Sequence, residues 1–185
     1  MLGIQGPGSF VGQGAATVSV SAAEGGGGAI AYYECSINGG LFFNCGGSGV
    51  SATLRLDPPA APSDGLSVEV RVRAVDVADN RSASLIASWR LDYAAPTTMG
   101  LTAVTPFTKD KLSASFVVQN PTDGTGSGIT SYICALDNGP EQPCPGSGQG
   151  AFTLTFPAGL GDGPHALVAS PVDGVGNRGG SVSAT

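Results

Sequence analysis

Four cysteines carry the first chemistry legible in this 185-residue chain. Cys35 and Cys45 flank Asn38-Gly39-Gly40, and Cys134 and Cys144 flank Asp137-Asn138-Gly139. Each cysteine of the first pair stands 99 residues before its counterpart (35 to 134, 45 to 144), and Tyr-x-Cys opens both copies. Asn and Gly tolerate the positive φ of tight hairpin turns, so each pair brackets a hairpin. A hairpin centred on residue 40 would set Cys35 directly opposite Cys45. Four cysteines allow three pairings. The repetition favours the local ones, Cys35–Cys45 and Cys134–Cys144. The alternative chemistry is metal ligation. Zinc asks for four Cys or His ligands at short spacing, and widely spread cysteines with the single His165 do not supply them. Closed disulfides would imply an oxidising compartment and an extracellular or cell-surface location.

Other residues offer weaker chemistry. Asp76, Asp79 and Asn80, with Asp173 and Asn177 in the second copy, are oxygen donors of the kind calcium takes. The competing reading is that these Asp and Asn side chains cap a tight turn by binding its backbone N–H groups. The second copy has one carboxylate there, and we favour capping. Asn80-Arg81-Ser82 is an N-glycosylation acceptor. Asn120-Pro121-Thr122 is excluded by its proline. His165 with Asp162 invites a catalytic reading, but no Gly-x-Ser-x-Gly elbow or other activated nucleophile accompanies them. The carboxylates are scattered, so no acid/base pair can be nominated. Tyr33, Tyr132 and Trp89 could form a sugar platform, yet their parity points them inward. The expectation is a non-enzyme without a cofactor.

The segments that hold these residues are strand-forming. Val18 and Val20 alternate with polar residues, as do Leu54 and Leu56, and Val68, Val70, Val72 and Ala74 alternate with Glu69, Arg71 and Arg73. Such period-2 patterns mark half-buried strands. Leu85, Ala87, Trp89 and Leu91 share one parity. About seven short strands separated by Gly, Pro and Asn turns predict an antiparallel β-sandwich. The second copy repeats the order at Ser113–Val118, Ile129–Leu136, Thr153–Phe156 and Ala166–Asp173, where Pro171 suggests an edge strand or bulge. Residues 1–15 read as an irregular first strand. The fold class expected is all-β, two tandem Ig-like antiparallel β-sandwich modules, residues 1–95 and 96–185. The second module is expected to have a truncated last strand, because Thr185 falls level with Ser88 and leaves Trp89 without a counterpart. The first residues lack the basic start and long apolar core of a signal peptide. With Met1 level with Met99, both ends read as cuts in a longer array.

Charge and composition exclude some partners. Net charge is −6, with 12% charged residues and no basic stripe, which argues against nucleic acid. No apolar run reaches the roughly 18 residues of a membrane span.

The pattern Tyr-x-Cys-x-[Ile/Leu]-[Asn/Asp]-x-Gly…Cys, then Asp-Gly, then a strand ending Val-Asp-x-x-x-Asn, resembles the bacterial-type immunoglobulin-like repeats of large cell-surface proteins. Asp76-Val77-Ala78-Asp79-Asn80 and Asp173-Gly174-Val175-Gly176-Asn177 resemble the family's turn, and Trp89-Arg90-Leu91-Asp92 with Pro96 its junction. His165 sits at the family's Asp-Gly-x-His position, which the first copy does not keep. Similar repeats occur in green-algal surface glycoproteins, including those of flagellar hairs (mastigonemes). The resemblance implies a non-enzymatic structural or adhesive segment, a spacer and packing unit in a surface coat or filament. Its partners would be neighbouring modules of the array or other surface proteins. The alternative is a carbohydrate- or ligand-binding module using loops at a sandwich end.

Overall fold

The computed structural model describes residues 2–12, 14–23, 28–57, 63–97, 100–104, 112–145, 150–155 and 159–185. The expected turn at Gly25–Gly28, the prolines 58, 59 and 62, and Met1, Met99 and Phe156 lie wholly or partly outside them. The chain divides into two compact units, Met1–Tyr93 and Ala94–Thr185. The division falls two residues before the expected one.

In the first unit, β1 (Leu2–Gln5), β3 (Ala16–Ala22) and β6 (Ser51–Leu56) form a three-stranded antiparallel sheet in the order β1-β3-β6. β2 (Phe10–Val11), β4 (Ile30–Ile37), β5 (Phe43–Gly46), β7 (Ser67–Asp76) and β8 (Leu85–Leu91) form a second sheet in the order β2-β8-β7-β4-β5. Alternation decides which face is inward. Val18, Val20, Leu54 and Leu56 from the first sheet meet Val70, Val72, Trp89 and Leu91 from the second in one buried core. The two sheets make a sandwich, and all pairings but one are antiparallel: β2 runs parallel to β8.

That exception corrects the irregular first strand expected over residues 1–15. The segment is two strands on two sheets, since β1 pairs with β3 and β2 with β8. Gly6-Pro7-Gly8 lies between them, and Gly8 has φ 117°, open to glycine and strained for other residues. Proline cannot donate to a ladder. The chain leaves one sheet there and joins the other, as strands at sandwich corners do.

The second unit repeats the layout. β9 (Gly100–Ala103), β10 (Ser113–Gln119) and β13 (Gly150–Thr155) form one sheet in the order β13-β10-β9. β11 (Ile129–Leu136), β12 (Gln142–Cys144), β14 (Leu167–Asp173) and β15 (Val182–Ala184) form the other in the order β12-β11-β14-β15. Its core includes Leu101, Phe116, Val118, Tyr132, Phe152, Leu154 and Leu167. Phe116 and Phe152 stack with ring centroids 5.8 Å apart.

Pro171 stands inside that second sheet, opposite Tyr132, on a strand with neighbours on both sides. β14 is therefore not the edge strand that its proline suggested. The irregularity lies on the partner strand, between Ile129 and Ser131. The reason Pro171 is tolerated is local. β15 pairs only with Leu167–Ala169, so the outward side of Pro171 meets Gly179, whose N–H donates to the Pro171 carbonyl at 2.9 Å. In the first unit the same position is Ala74, whose N–H donates to Ser82 Oγ at 3.0 Å. Pro171 removes that donor and Gly179 removes that acceptor, so no buried polar group is orphaned. Gly179 is also required sterically. A Cβ on it would stand 2.8 Å from Pro171 Cγ and collide with the Pro96 carbonyl.

Candidate functional site

Both disulfides are closed: Cys35–Cys45, with Cα atoms 5.6 Å apart, and Cys134–Cys144, at 5.4 Å. The register differs from the one expected. Cys35 stands opposite Phe43, and Cys134 opposite Gln142, so each bridge runs diagonally across its hairpin. Each turn is centred one residue earlier than the cysteine spacing suggests. Asn38 and Gly39 have φ 48° and 75°, and Gly40 N–H donates to the Ile37 carbonyl at 2.9 Å. Asp137 and Asn138 have φ 51° and 57°, and Gly139 N–H donates to the Leu136 carbonyl at 2.7 Å. Two successive positive φ values define a type I′ turn, whose twist suits a hairpin. A Cβ on Gly139 would lie 2.8 Å from the Leu136 carbonyl, so the residue after this turn needs to be glycine.

The first turn residue also ties the hairpin to the next strand. Asn38 Oδ1 accepts from Glu69 N–H at 2.8 Å, and Asp137 Oδ1 accepts from Ala166 N–H at 2.8 Å. In the second unit a histidine joins this contact. His165 Nδ1 lies 2.6 Å from Asp137 Oδ2, and its Nε2 lies 3.0 Å from the Gly161 carbonyl. The partner of His165 is thus Asp137 on the hairpin turn. Both neighbours accept, so the ring needs a proton on each nitrogen and is the imidazolium when both bonds are made. The Asp137 bond, then the Gly161 carbonyl, raise the His165 pKa above its ordinary 6.5. The His165 bond, then the Ala166 N–H, lower Asp137 below its ordinary 3.8.

The histidine contribution to stability is full below about pH 6.5 and is lost as pH rises through the raised folded value. The aspartate contribution is full above about pH 4 and is lost as pH falls through the lowered folded value. The contact is therefore strongest between these limits. Proton NMR titration of the single histidine is expected to give a midpoint above 6.5, moving back towards 6.5 in Asp137→Asn. Asn38 already makes the backbone contact in the first unit, so that variant keeps the turn.

At the far end of β7 and β14 stand the acidic turns. Asp76 Oδ1 accepts from Ala78 and Asn80 N–H at 2.8 and 2.9 Å, and Oδ2 accepts from Asn80 Nδ2 at 2.8 Å. Asp173 Oδ1 accepts from Val175, Gly176 and Asn177 N–H at 3.0, 2.7 and 2.8 Å, and Oδ2 accepts from Asn177 Nδ2 at 2.8 Å. These bonds engage both oxygens of each carboxylate with the turn's own donors. The Asn80 side chain, followed by its backbone N–H, holds the Asp76 carboxyl below the usual range. Asp79 turns outward at φ 67° and pairs with Arg81 at 3.0 Å.

Beside each turn is an ion pair that the sequence did not announce. Glu34, 9% exposed, accepts from Arg73 Nε at 2.7 Å and from Arg81 at 3.3 Å. Arg73 lies over the Phe42 ring, 3.9 Å from its centroid. Arg81, then Arg73, hold the Glu34 carboxyl low. In the second unit Ile133 and Ser170 replace Glu34 and Arg73, and the acid moves to Glu141. Arg178 grips Glu141 with two bonds of 2.8 and 2.6 Å and reaches Ser170 Oγ at 3.1 Å. Both units thus tie the acidic turn to their hairpin sheet through one arginine, by different carboxylates. The exchange of partner hid the device from sequence comparison, since the position of Glu34 is Ile133 in the second copy and that of Glu141 is Phe42 in the first.

Tyr33, Tyr132 and Trp89 lie in the cores, at 0%, 1% and 5% exposure. They are packing residues there, and the Tyr33 hydroxyl donates to the Gly49 carbonyl at 2.8 Å. An apolar hollow beside Val11, Leu56, Val68, Trp89 and Leu91 measures about 10 Å³, room for about one water. Apolar side chains left exposed include Leu41 and Phe43 on the first hairpin and Val50 and Val77 near one sandwich end.

This geometry defines a pair of disulfide-clipped β-sandwich modules. No family model matches the chain, and no curated protein matches it. Among solved structures it is similar to the fibronectin(III)-like modules of Clostridium thermocellum CbhA. That likeness has 14% identity and a TM-score of 0.54, over 100% of this chain and 92% of the other. At this identity the likeness concerns the fold.

Proposed function

We propose that this chain is a non-enzymatic structural or adhesive segment of a longer extracellular repeat array, a spacer and packing unit in a cell-surface coat or filament. The observation that carries the reading is the repetition of one disulfide-clipped hairpin in two sandwich units, because such clips persist in oxidising compartments. Supporting it, the carboxylates beside the acidic turns are engaged within their own units. Asp76, Asp173, Glu34 and Glu141 bind the turns and arginines of their own unit. The fibronectin(III)-like fold suits a module of this kind. Partners are neighbouring modules of the array or other surface proteins.

Antibodies raised against the recombinant chain test the reading. Immunogold labelling of intact source cells is expected to decorate the outer surface or its filaments. Label that emerges only after permeabilisation would sink it. The binding-module alternative rests on the exposed Val50 and Val77 near a sandwich end. Saturable binding on a glycan array, abolished by Val77→Asp, would favour that alternative.

A further inference from the structure

We infer that Asn80 is an N-glycosylation site, and that the equivalent turn of the second unit is built to exclude one. The inference rests on the extracellular reading above. Asn80-Arg81-Ser82 is the only Asn-x-Ser/Thr acceptor without an intervening proline in the sequence. The same turn in the second unit reads Asn177-Arg178-Gly179, with no hydroxyl.

The two asparagines differ in what their amide nitrogens do. Asn177 Nδ2 donates to Asp173 Oδ2 at 2.8 Å and also to the Ala94 carbonyl at 3.2 Å. Its carboxamide hydrogens are spent, one on the turn and one on the segment leading into the unit. That segment is fixed beside it: Thr97 N–H donates to the Thr122 carbonyl at 2.8 Å. Gly179 completes the seat, because a side chain there would strike the Pro96 carbonyl. A hydroxyl residue at 179, which an acceptor requires, does not fit.

Among the described residues, the Asn80 carboxamide nitrogen makes the turn contact alone. Its Nδ2 donates to Asp76 Oδ2 at 2.8 Å, and the residue is exposed. A carboxamide has two hydrogens, and N-linkage consumes one. The remaining hydrogen serves Asp76, so the turn and its sugar coexist. Ser82 fits where Gly179 must stand, with its hydroxyl bonded to Ala74 N–H and the Ala83 carbonyl. Val77, 69% exposed on the same turn, would be shaded by the sugar; its counterpart is Gly174.

The reaction balances simply. Asn80 Nδ2 attacks the anomeric carbon of a lipid-diphosphate-linked oligosaccharide. The N–C bond forms, the bond from carbon to the diphosphate oxygen breaks, the lipid diphosphate leaves, and Nδ2 loses one proton.

The test is expression of the full chain behind a cleavable secretory leader in a eukaryotic cell, with intact mass measured before and after an amidase that removes N-glycans. A mass loss on treatment is expected, with aspartate then found at position 80 by peptide mapping. Ser82→Gly, which copies the second unit, is expected to abolish the mass loss. Secreted chain with Cys35–Cys45 closed but Asn80 bare would overturn the glycosylation site and leave the location reading standing. Chain retained in the cell with free thiols would overturn the location reading, and this inference with it.

Discussion

Replacing Cys35 and Cys45 together by alanine is expected to lower the unfolding midpoint of the first unit by roughly 10–20 °C. A cross-link closing about ten residues removes enough unfolded-chain entropy to be worth about 2–3 kcal/mol. A domain of this size shifts by roughly 4–8 °C per kcal/mol. The effect should be concentrated locally. β5 is a four-residue edge strand, held by one ladder and the clip. Amide exchange over Phe43–Gly46 should therefore accelerate more than exchange over β7, which has a strand on either side. The corresponding change at Cys134 and Cys144 should act on the second unit in the same way, because β12 is a three-residue edge strand. An unchanged midpoint with native-like exchange in β5 would show that the hairpin register stands without its clip.

Trp89→Ala carries the second large effect. Trp89 is 5% exposed, pairs opposite Val68, and packs among Leu91, Leu56 and Val11. Removing so large a buried ring costs about 3–5 kcal/mol through lost transfer energy and the cavity left behind. Each unit has its own core, so calorimetry is expected to show one transition move and the other stay. A single transition that shifts as a whole would show that the two cores unfold together.

Much of this molecule was legible because alternation is a local signal. Val68, Val70, Val72 and Ala74 fix the inward face of β7 wherever it sits, since side chains alternate across any strand. The strands at 30–37, 51–56, 85–91 and 129–136 follow from the same rule. The turn glycines and asparagines announced both hairpins, because few residues accept positive φ. The capping role of Asp76 and Asp173 was also within reach, as it is a contact with the next few residues.

Three readings failed where they depended on exact strand register or on which strand lies beside which. Pro171 read as an edge strand or a bulge because a proline cannot donate; an irregularity does fall in its ladder, between Ile129 and Ser131, but β14 is not at an edge. Only the length of β15 and the identity of Gly179 reveal that its outward side needs no donor. The cysteines read as directly opposite, whereas a turn centred one residue earlier sets the bridge diagonally. Residues 1–15 read as one irregular strand, whereas Gly6-Pro7-Gly8 passes the chain between sheets.

The sequence by itself determined the strands, the hairpin turns and the repetition, all set by interactions within a few residues or by a copy of the same pattern. The tertiary structure alone decided the partners of the polar groups. Asp137 with His165 are 28 residues apart, and Glu34 with Arg81 are 47. Charge pairs form wherever folding brings opposite signs within reach, so the equivalent arginines take different partners: Arg81 takes Glu34 on β4, and Arg178 takes Glu141 just before β12. Sequence spacing holds no record of that choice, because the distance that matters runs across the sheet and not along the chain.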